Sequence, residues 1–272
     1  MFFKKMLLAQ IERITTSNTR HLLLAGIFLL SLLLRLFCWF MEPTLSRDAI
    51  TYVEIISTWF AKGDFSGVLS YWPDCWIPPL PVWLVLLLVK CGIPPETAGV
   101  GLNLALGSLI PLLIFHISNV VTGNKSIAYG TALLAAVHPM LIELAIEIQR
   151  DTTYLFLIGL VLWFLLAAIQ KENSFFWGVG GIFLGLSILS RFESLELLPL
   201  VFCYLAGSVI FKTQKFHIAL KQFGVFCIGV IVAFTLTTWL MGVPFSYYKI
   251  YYDRVTEMVA KIVPVDEMRQ VR

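Results

Sequence analysis

Charge is scarce in this chain. Only 14% of its 272 residues are Asp, Glu, Lys or Arg, against 58% hydrophobic residues, and the mean hydropathy is +0.84. A soluble domain carries about 25% charged residues, so a water-facing surface over the whole chain is excluded. The charges nearly balance, to a net +3, which gives no basic face for nucleic acid; the positive residues sit in short loops, where they set orientation in a membrane. Cysteines are few and scattered, at Cys38, Cys75, Cys91, Cys203 and Cys227. No CxxC pair occurs, which argues against a cysteine metal site or a redox motif. Cys75 and Cys91 are read as unpaired thiols rather than as a disulfide. Also missing are a GxxxxGKS/T phosphate loop, HExxH, GxSxG and a Gly-rich dinucleotide fingerprint. No internal repeat of the transporter kind stands out. Without a nucleotide-binding domain, any activated donor has to arrive in the membrane, as a lipid.

What is present is a series of long, continuous apolar runs. Continuous rather than alternating hydrophobicity predicts spanning helices. A span needs about 20 apolar residues, and the segments that qualify are 21–41, 97–120, 126–148, 152–170, 175–190, 195–211 and 217–243. The first run is too long for a signal-peptide core and has no small-residue cleavage site after it. The run 76–91 is short and begins with Pro78, Pro79 and Pro81, which cannot donate backbone hydrogen bonds, so it reads as interfacial or re-entrant. Charge supports that choice. Lys4, Lys5, Arg13 and Arg20 put the N-terminus in the cytoplasm. If 76–91 does not cross, Lys125, Lys171 and the Lys212, Lys215, Lys221 cluster all fall inside as well. The expected architecture is an all-α polytopic membrane bundle of about seven spans in the plasma (inner) membrane. Residues 1–20 form a basic cytoplasmic segment and 21–243 the transmembrane module. The first outer loop, 42–96, carries juxtamembrane helices, and 244–272 is an extracytoplasmic C-terminal segment.

This topology brings the unusual polar residues to one face. Ser46-Arg47-Asp48 follows the first run directly, with Tyr52 and Glu54 at helical spacing. An acid held there against apolar surface is suited to general-base work; a solvated loop acid paired with Arg47 or Arg35 is the plainer reading. Glu143, Glu147 and Asp151, four residues apart, would share a drifting helix face. Acids in or near a span are costly and are expected to line a bundle interior or wet cavity. His138-Pro139 reads as a core histidine beside a helix irregularity. Arg191, with Glu193 and Glu196, breaks an apolar stretch at an outer end. Its guanidinium suits phosphate, as does that of Arg35, and both also fit a snorkelling role. Trp72, Trp76 and the segment Pro244 to Arg254 read as an interfacial aromatic belt or as stacking surfaces for a sugar ring. Gly178, Gly180, Gly181 and Gly185 read as close helix packing.

In this order and sidedness the motifs resemble the integral-membrane GT-C glycosyltransferases of the protein O-mannosyltransferase and aminoarabinose transferase type. Asp48 and Tyr52 match an Asp-x-x-x-Tyr pattern in the first outer loop, and Lys62-Gly63-Asp64-Phe65 is similar to its Gly-Asp-aromatic continuation. Pro79-Leu80-Pro81-Val82-Trp83 matches a Pro-Leu element leading into a juxtamembrane helix. The resemblance implies that Asp48 is the catalytic acid-base residue, that Asp151 is a second catalytic acid, and that Arg191, with help from Arg35, binds the donor phosphate. Tyr52, Glu147, Glu193 and Trp76 would contact substrate. It implies a lipid-linked sugar donor and membrane lipids as partners, no nucleic acid, and an acceptor hydroxyl on the outer face. Asp48 and Asp151 are the positions for a divalent ion, which the residues do not require. Three departures stand out: Ile77 sits where relatives carry a basic residue, Asp48 has no acidic neighbour of the Asp-Glu kind, and relatives are usually longer. The alternatives are a non-catalytic carrier or assembly subunit, or an inactive truncated transferase. A carrier would string its acids along a path through the membrane rather than crowd them at one face.

Overall fold

The structure, a computed structural model, describes residues 2–41, 46–72, 75, 77–249 and 253, with side chains from residue 20 onward. All regular structure among the described residues is helical. Helix α1 is Phe2–Met41, and the first loop holds α2 (Arg47–Lys62), α3 (Phe65–Tyr71) and α4 (Pro79–Lys90). There follow α5 (Pro95–Thr122), α6 (Lys125–Val137), α7 (Pro139–Ile146), α8 (Arg150–Lys171) and α9 (Ser174–Ser190). A 3-10 turn, Phe192–Glu196, leads into α10 (Leu197–Ile210), and α11 is Phe216–Met241. The local chemistry explains the boundaries. Helices α4, α5 and α7 begin with a proline in the first turn, where its missing N–H costs nothing. Left-handed glycines, Gly63, Gly123 and Gly242, end α2, α5 and α11.

Every segment expected to span is mostly helical. Five helices are long and apolar enough to cross a membrane: Arg20–Met41, Pro95–Thr122, Arg150–Lys171, Phe192–Ile210 and Phe216–Met241. The α6–α7 pair makes a sixth if its 51° bend lies within one span. Helix α9, apolar and 17 residues long, sits at the lower limit of about 17 residues for a span. Helix α4 has 12 residues. That is about 18 Å of helix against a hydrocarbon core of about 30 Å, so α4 by itself is too short to cross. It packs among α2, α5 and α9.

Two expectations for residues 126–151 are corrected. The run is not one helix, because Pro139 ends α6 at Val137, and the chain breaks again at residues 147–149 before α8. Glu143, Glu147 and Asp151 therefore do not share a helix face. His138 is exposed at the bend rather than buried in a core. Cys75 is buried and Cys91 exposed, and no disulfide joins them.

Helix α9 makes its most extensive contacts with α11, and glycine lets them meet backbone to backbone. A Cβ on Gly181 would fall on the carbonyl oxygen of Phe226, one on Gly185 on that of Val230, and one on Gly229 on that of Gly178. Apolar tails surround the helices in a bilayer, so such close van der Waals packing, rather than expulsion of water, drives their association. The first loop is a second packing unit. Trp59, Phe65 and Tyr247 stack edge to face in sequence, and the Tyr247 hydroxyl donates to the Ile77 carbonyl at 2.7 Å. The start of the C-terminal segment is thereby tied to the start of α4. Tyr248, whose hydroxyl lies 3.0 Å from that of Thr238 on α11, is pushed by burial up to about 12, the hydrogen bond pulling the other way.

Gly181→Ala is expected to destabilise the bundle by about 1–3 kcal/mol through overpacking. Gly101→Ala, at a site open to 4 Å, should leave the melting temperature of the purified protein unchanged or raised. The raised Tyr248 hydroxyl favours the protonated folded state. Its contribution to stability is complete below its ordinary value of 10.0 and is lost as pH rises through about 12. Melting temperatures measured across that interval should fall less steeply for Tyr248→Phe than for the unaltered protein.

Candidate active site

Three chain-distant junctions meet at one end of the bundle: the start of α2, the α7–α8 break and the α9–3-10 junction. The α7–α8 break is held from α5. Asn103, buried in the middle of an apolar helix, donates its Nδ2 to the Glu147 carbonyl and, at 3.1 Å, to the Gln149 carbonyl. Thr152 closes the break from the other side, its hydroxyl donating to the Leu144 carbonyl at 2.6 Å. Helix α8 starts immediately after, with Asp151 in its first turn, where the positive end of the helix dipole favours an acid.

Asp151 forms an ion pair with Arg191 Nη1. Arg191 ends α9, and its Nε lies 3.4 Å from Glu193 Oε1. The guanidinium also sits over the Tyr154 ring, 5.4 Å from its centroid, an arrangement favourable for a cation on an aromatic face. Burial lowers the Arg191 pKa, but the carboxylates of Asp151 and Glu193 outweigh it and hold the group above its ordinary value. The charge is therefore permanent. It is held in a fork, one edge on Asp151 and the Nε on Glu193.

Tyr52 joins the first loop to this junction. It is buried in α2, and its hydroxyl lies near Arg150 at the start of α8. Burial pushes its pKa up, Arg150 opposes this, and both Asp151 and Asp48 lie close enough to reinforce it. The phenol therefore stays protonated through the physiological range. Asp48 lies one turn earlier on α2, behind the Ser46 cap, whose side chain accepts the Ala49 N–H at 3.2 Å. Its carboxylate is exposed and in no ion pair among the described residues. The expected apolar surroundings of Asp48 and its pairing with Arg47 or Arg35 are thus absent, and the group faces open space beside the Tyr52–Asp151 junction.

The other expected residues are placed differently. Arg35 is fully buried, and its guanidinium donates to the carbonyls of Ser31 at 3.0 Å, Ala136 at 3.2 Å and Leu141 at 3.2 Å, and to Ser31 Oγ. In an unbroken helix the Ala136 carbonyl would take the Met140 N–H; the Pro139 bend frees it, and Arg35 supplies the donor instead. Arg35 is thus committed to protein carbonyls rather than turned to a surface phosphate. Glu147 contributes its carbonyl to Asn103, and its half-buried carboxylate is in no ion pair among the described residues. Trp76 lies outside the described residues, as does most of the segment after residue 249. Among the described residues no three His, Cys, Asp or Glu side chains gather closely enough to hold a metal ion. The sequence reading missed Tyr154, three residues after Asp151, and Asn103. The signal for Asn103 was there, a lone amide in an apolar span.

Asn103→Leu should leave two partly buried carbonyls without their donor, at a cost of about 1–3 kcal/mol. The expected result is a lower melting temperature, with the α7–α8 segment showing faster amide hydrogen exchange.

The arrangement offers a permanent cation flanked by carboxylates, a buried phenol and an exposed acid, all at one end of a helical membrane bundle. No curated protein matches the chain. The model of the dolichyl-phosphate-mannose-protein mannosyltransferase family matches residues 77–241, which include Asp151, Arg191 and Glu193 and begin after Asp48 and Tyr52. With more than half of its length matched, the chain belongs to that family, a GT-C type of membrane glycosyltransferase.

Proposed function

We propose that the protein moves a sugar from a polyprenyl-phosphate donor to an acceptor hydroxyl at the outer face of the membrane. The observation that carries this reading is the convergence of Asp151, Arg191 and the Tyr52–Asp48 turn at one end of the bundle. A carrier's acids would instead lie along a path through it. The family's own name specifies a dolichyl-phosphate-linked mannose as donor, which fits a chain without a nucleotide-binding fingerprint.

In the proposed reaction the acceptor oxygen attacks the anomeric carbon as its proton passes to the Asp48 carboxylate. The bond from that carbon to the phosphate oxygen breaks, and its electron pair leaves on the phosphate. Asp48 suits the base role because it is exposed and not consumed by an ion pair. Arg191 suits the phosphate role because a guanidinium has five donors, and the described ion pairs use Nη1 and Nε. The donor phosphate would bond to the remaining N–H groups, competing with Asp151 for the cation. Asp151, released in part, would then orient the acceptor or the sugar. Charge developing on the leaving phosphate meets a cation already fixed by Glu193 and Tyr154, which is the preorganisation that lowers a barrier.

Purified protein in liposomes, given labelled polyprenyl-phosphate mannose, should release polyprenyl phosphate. Asp48→Asn should reduce turnover by roughly 10²–10⁴-fold, the usual contribution of a general base, with the donor KM little changed. Arg191→Ala should raise the donor KM and lower kcat together. Full turnover by folded Asp48→Asn protein would remove Asp48 from the mechanism.

A further inference from the structure

A cavity of about 470 Å³ lies where α8 ends, α9 begins and α10 turns into α11. It sits at the far end of α8 from Asp151, about 30 Å away at 1.5 Å per residue, so it is no part of the Arg191 cluster. Its volume falls in the range of small-molecule sites, about 300–1,000 Å³.

The floor is polar where a membrane helix is expected to be apolar. Gln222, buried in α11, accepts Gln214 Nε2 on its Oε1 at 2.9 Å, and Gln214 Oε1 in turn accepts the Ser208 hydroxyl at 3.2 Å. Trp177 lines the same cavity, and its indole N–H is buried with no hydrogen-bond partner. A buried donor without an acceptor is costly.

The rim carries opposite charges on separate turns. Glu172 stands on the turn between α8 and α9, and Lys215 and His217 on the start of α11. The first N–H groups of α11 have no side-chain cap and lie at the positive end of a 26-residue helix. Glu172 and Lys212, on the two turns that bound the cavity, are the non-glycine residues with positive φ among the described residues, at 50° and 56°. Such backbone is uncommon outside glycine. A lone anion would be drawn to Lys215 and repelled by Glu172. A group carrying a phosphate and an ammonium a few bonds apart matches both. An apolar groove of about 260 Å³, lined by Phe202, Val209, Phe216 and Phe223, flanks the same α10–α11 hairpin and has the character to take a hydrocarbon chain.

We propose that this cavity binds the headgroup of a zwitterionic aminophospholipid. The phosphate lies toward Lys215, His217 and the α11 N-terminus, the ammonium toward Glu172, and an acyl chain along the α10–α11 groove.

The test is a native mass-spectrometric titration of delipidated, detergent-purified protein with phosphatidylethanolamine, phosphatidylglycerol and phosphatidylcholine. Glycerophosphoethanolamine serves as a chain-free probe. Phosphatidylethanolamine is expected to bind at least tenfold more tightly than phosphatidylglycerol or the chain-free probe. Glu172→Gln should erase the preference for ethanolamine over glycerol, and Lys215→Ala should weaken both lipids at least tenfold. Both side chains are exposed, and unchanged melting temperatures would show that the fold is intact. Equal binding of the three lipids by the unaltered protein overturns the proposal without reference to any variant. Binding of glycerophosphoethanolamine as tight as that of the whole lipid overturns the lipid assignment. None of these readouts depends on sugar transfer, so they stand apart from the proposed reaction.

Discussion

Inside a bilayer every peptide N–H and C=O has to find a partner within the protein, and this chain breaks its apolar stretch of residues 126–148 in two places. The interruptions at His138–Pro139 and at residues 147–149 free backbone carbonyls. Arg35, Asn103 and Thr152 supply the missing donors from α1, α5 and α8. Gly107 marks the point where these elements crowd together. A Cβ there would fall on that of Ala145 and close to Arg35 Nε and the Thr152 methyl. The position of α8, and with it Asp151, depends on this set of contacts.

That anchoring has an electrostatic consequence. Asp151 starts α8 at the positive end of its dipole and meets the guanidinium of Arg191, which it shares with Glu193. Tyr154 supports the cation from below and Glu193 from the side. Under the proposed function, an incoming phosphate would exchange one anion for another on a guanidinium already held by two carboxylates. Tyr52 brings the first loop up to the same junction, near Arg150 and Asp151. A shift of α8 would therefore be felt at both Asp48 and Arg191.

Most of the helices were legible because the signals that define them are local. Apolar run length predicted the spanning segments, prolines and glycines marked their ends, and Gly181 and Gly185 pointed to the α9–α11 contact. A grouping of Asp48, Tyr52, Asp151 and Arg191 at one end was expected too, from the charge bias of the loops. The break after Ile146 was not. Glu143, Glu147 and Asp151 keep perfect helical spacing, and only the packing of Asn103 against residues 147–149 shows that the chain departs from it. Arg35 was misleading for a related reason. An arginine near the end of an apolar run looks the same in sequence whether it reaches for the surface or for a carbonyl inside.

The sequence by itself determined that this is a helical membrane protein and where most of its polar residues interrupt the apolar runs. Both follow from transfer energies, which each segment meets independently of its neighbours. Only the tertiary structure decided which partner each polar residue takes. Arg191 has Asp151 and Glu193, Arg35 has the carbonyls at the Pro139 bend, and Asp48 stands exposed among the described residues. Those pairings depend on where one helix lies against another, a property of the packed bundle and not of any single segment.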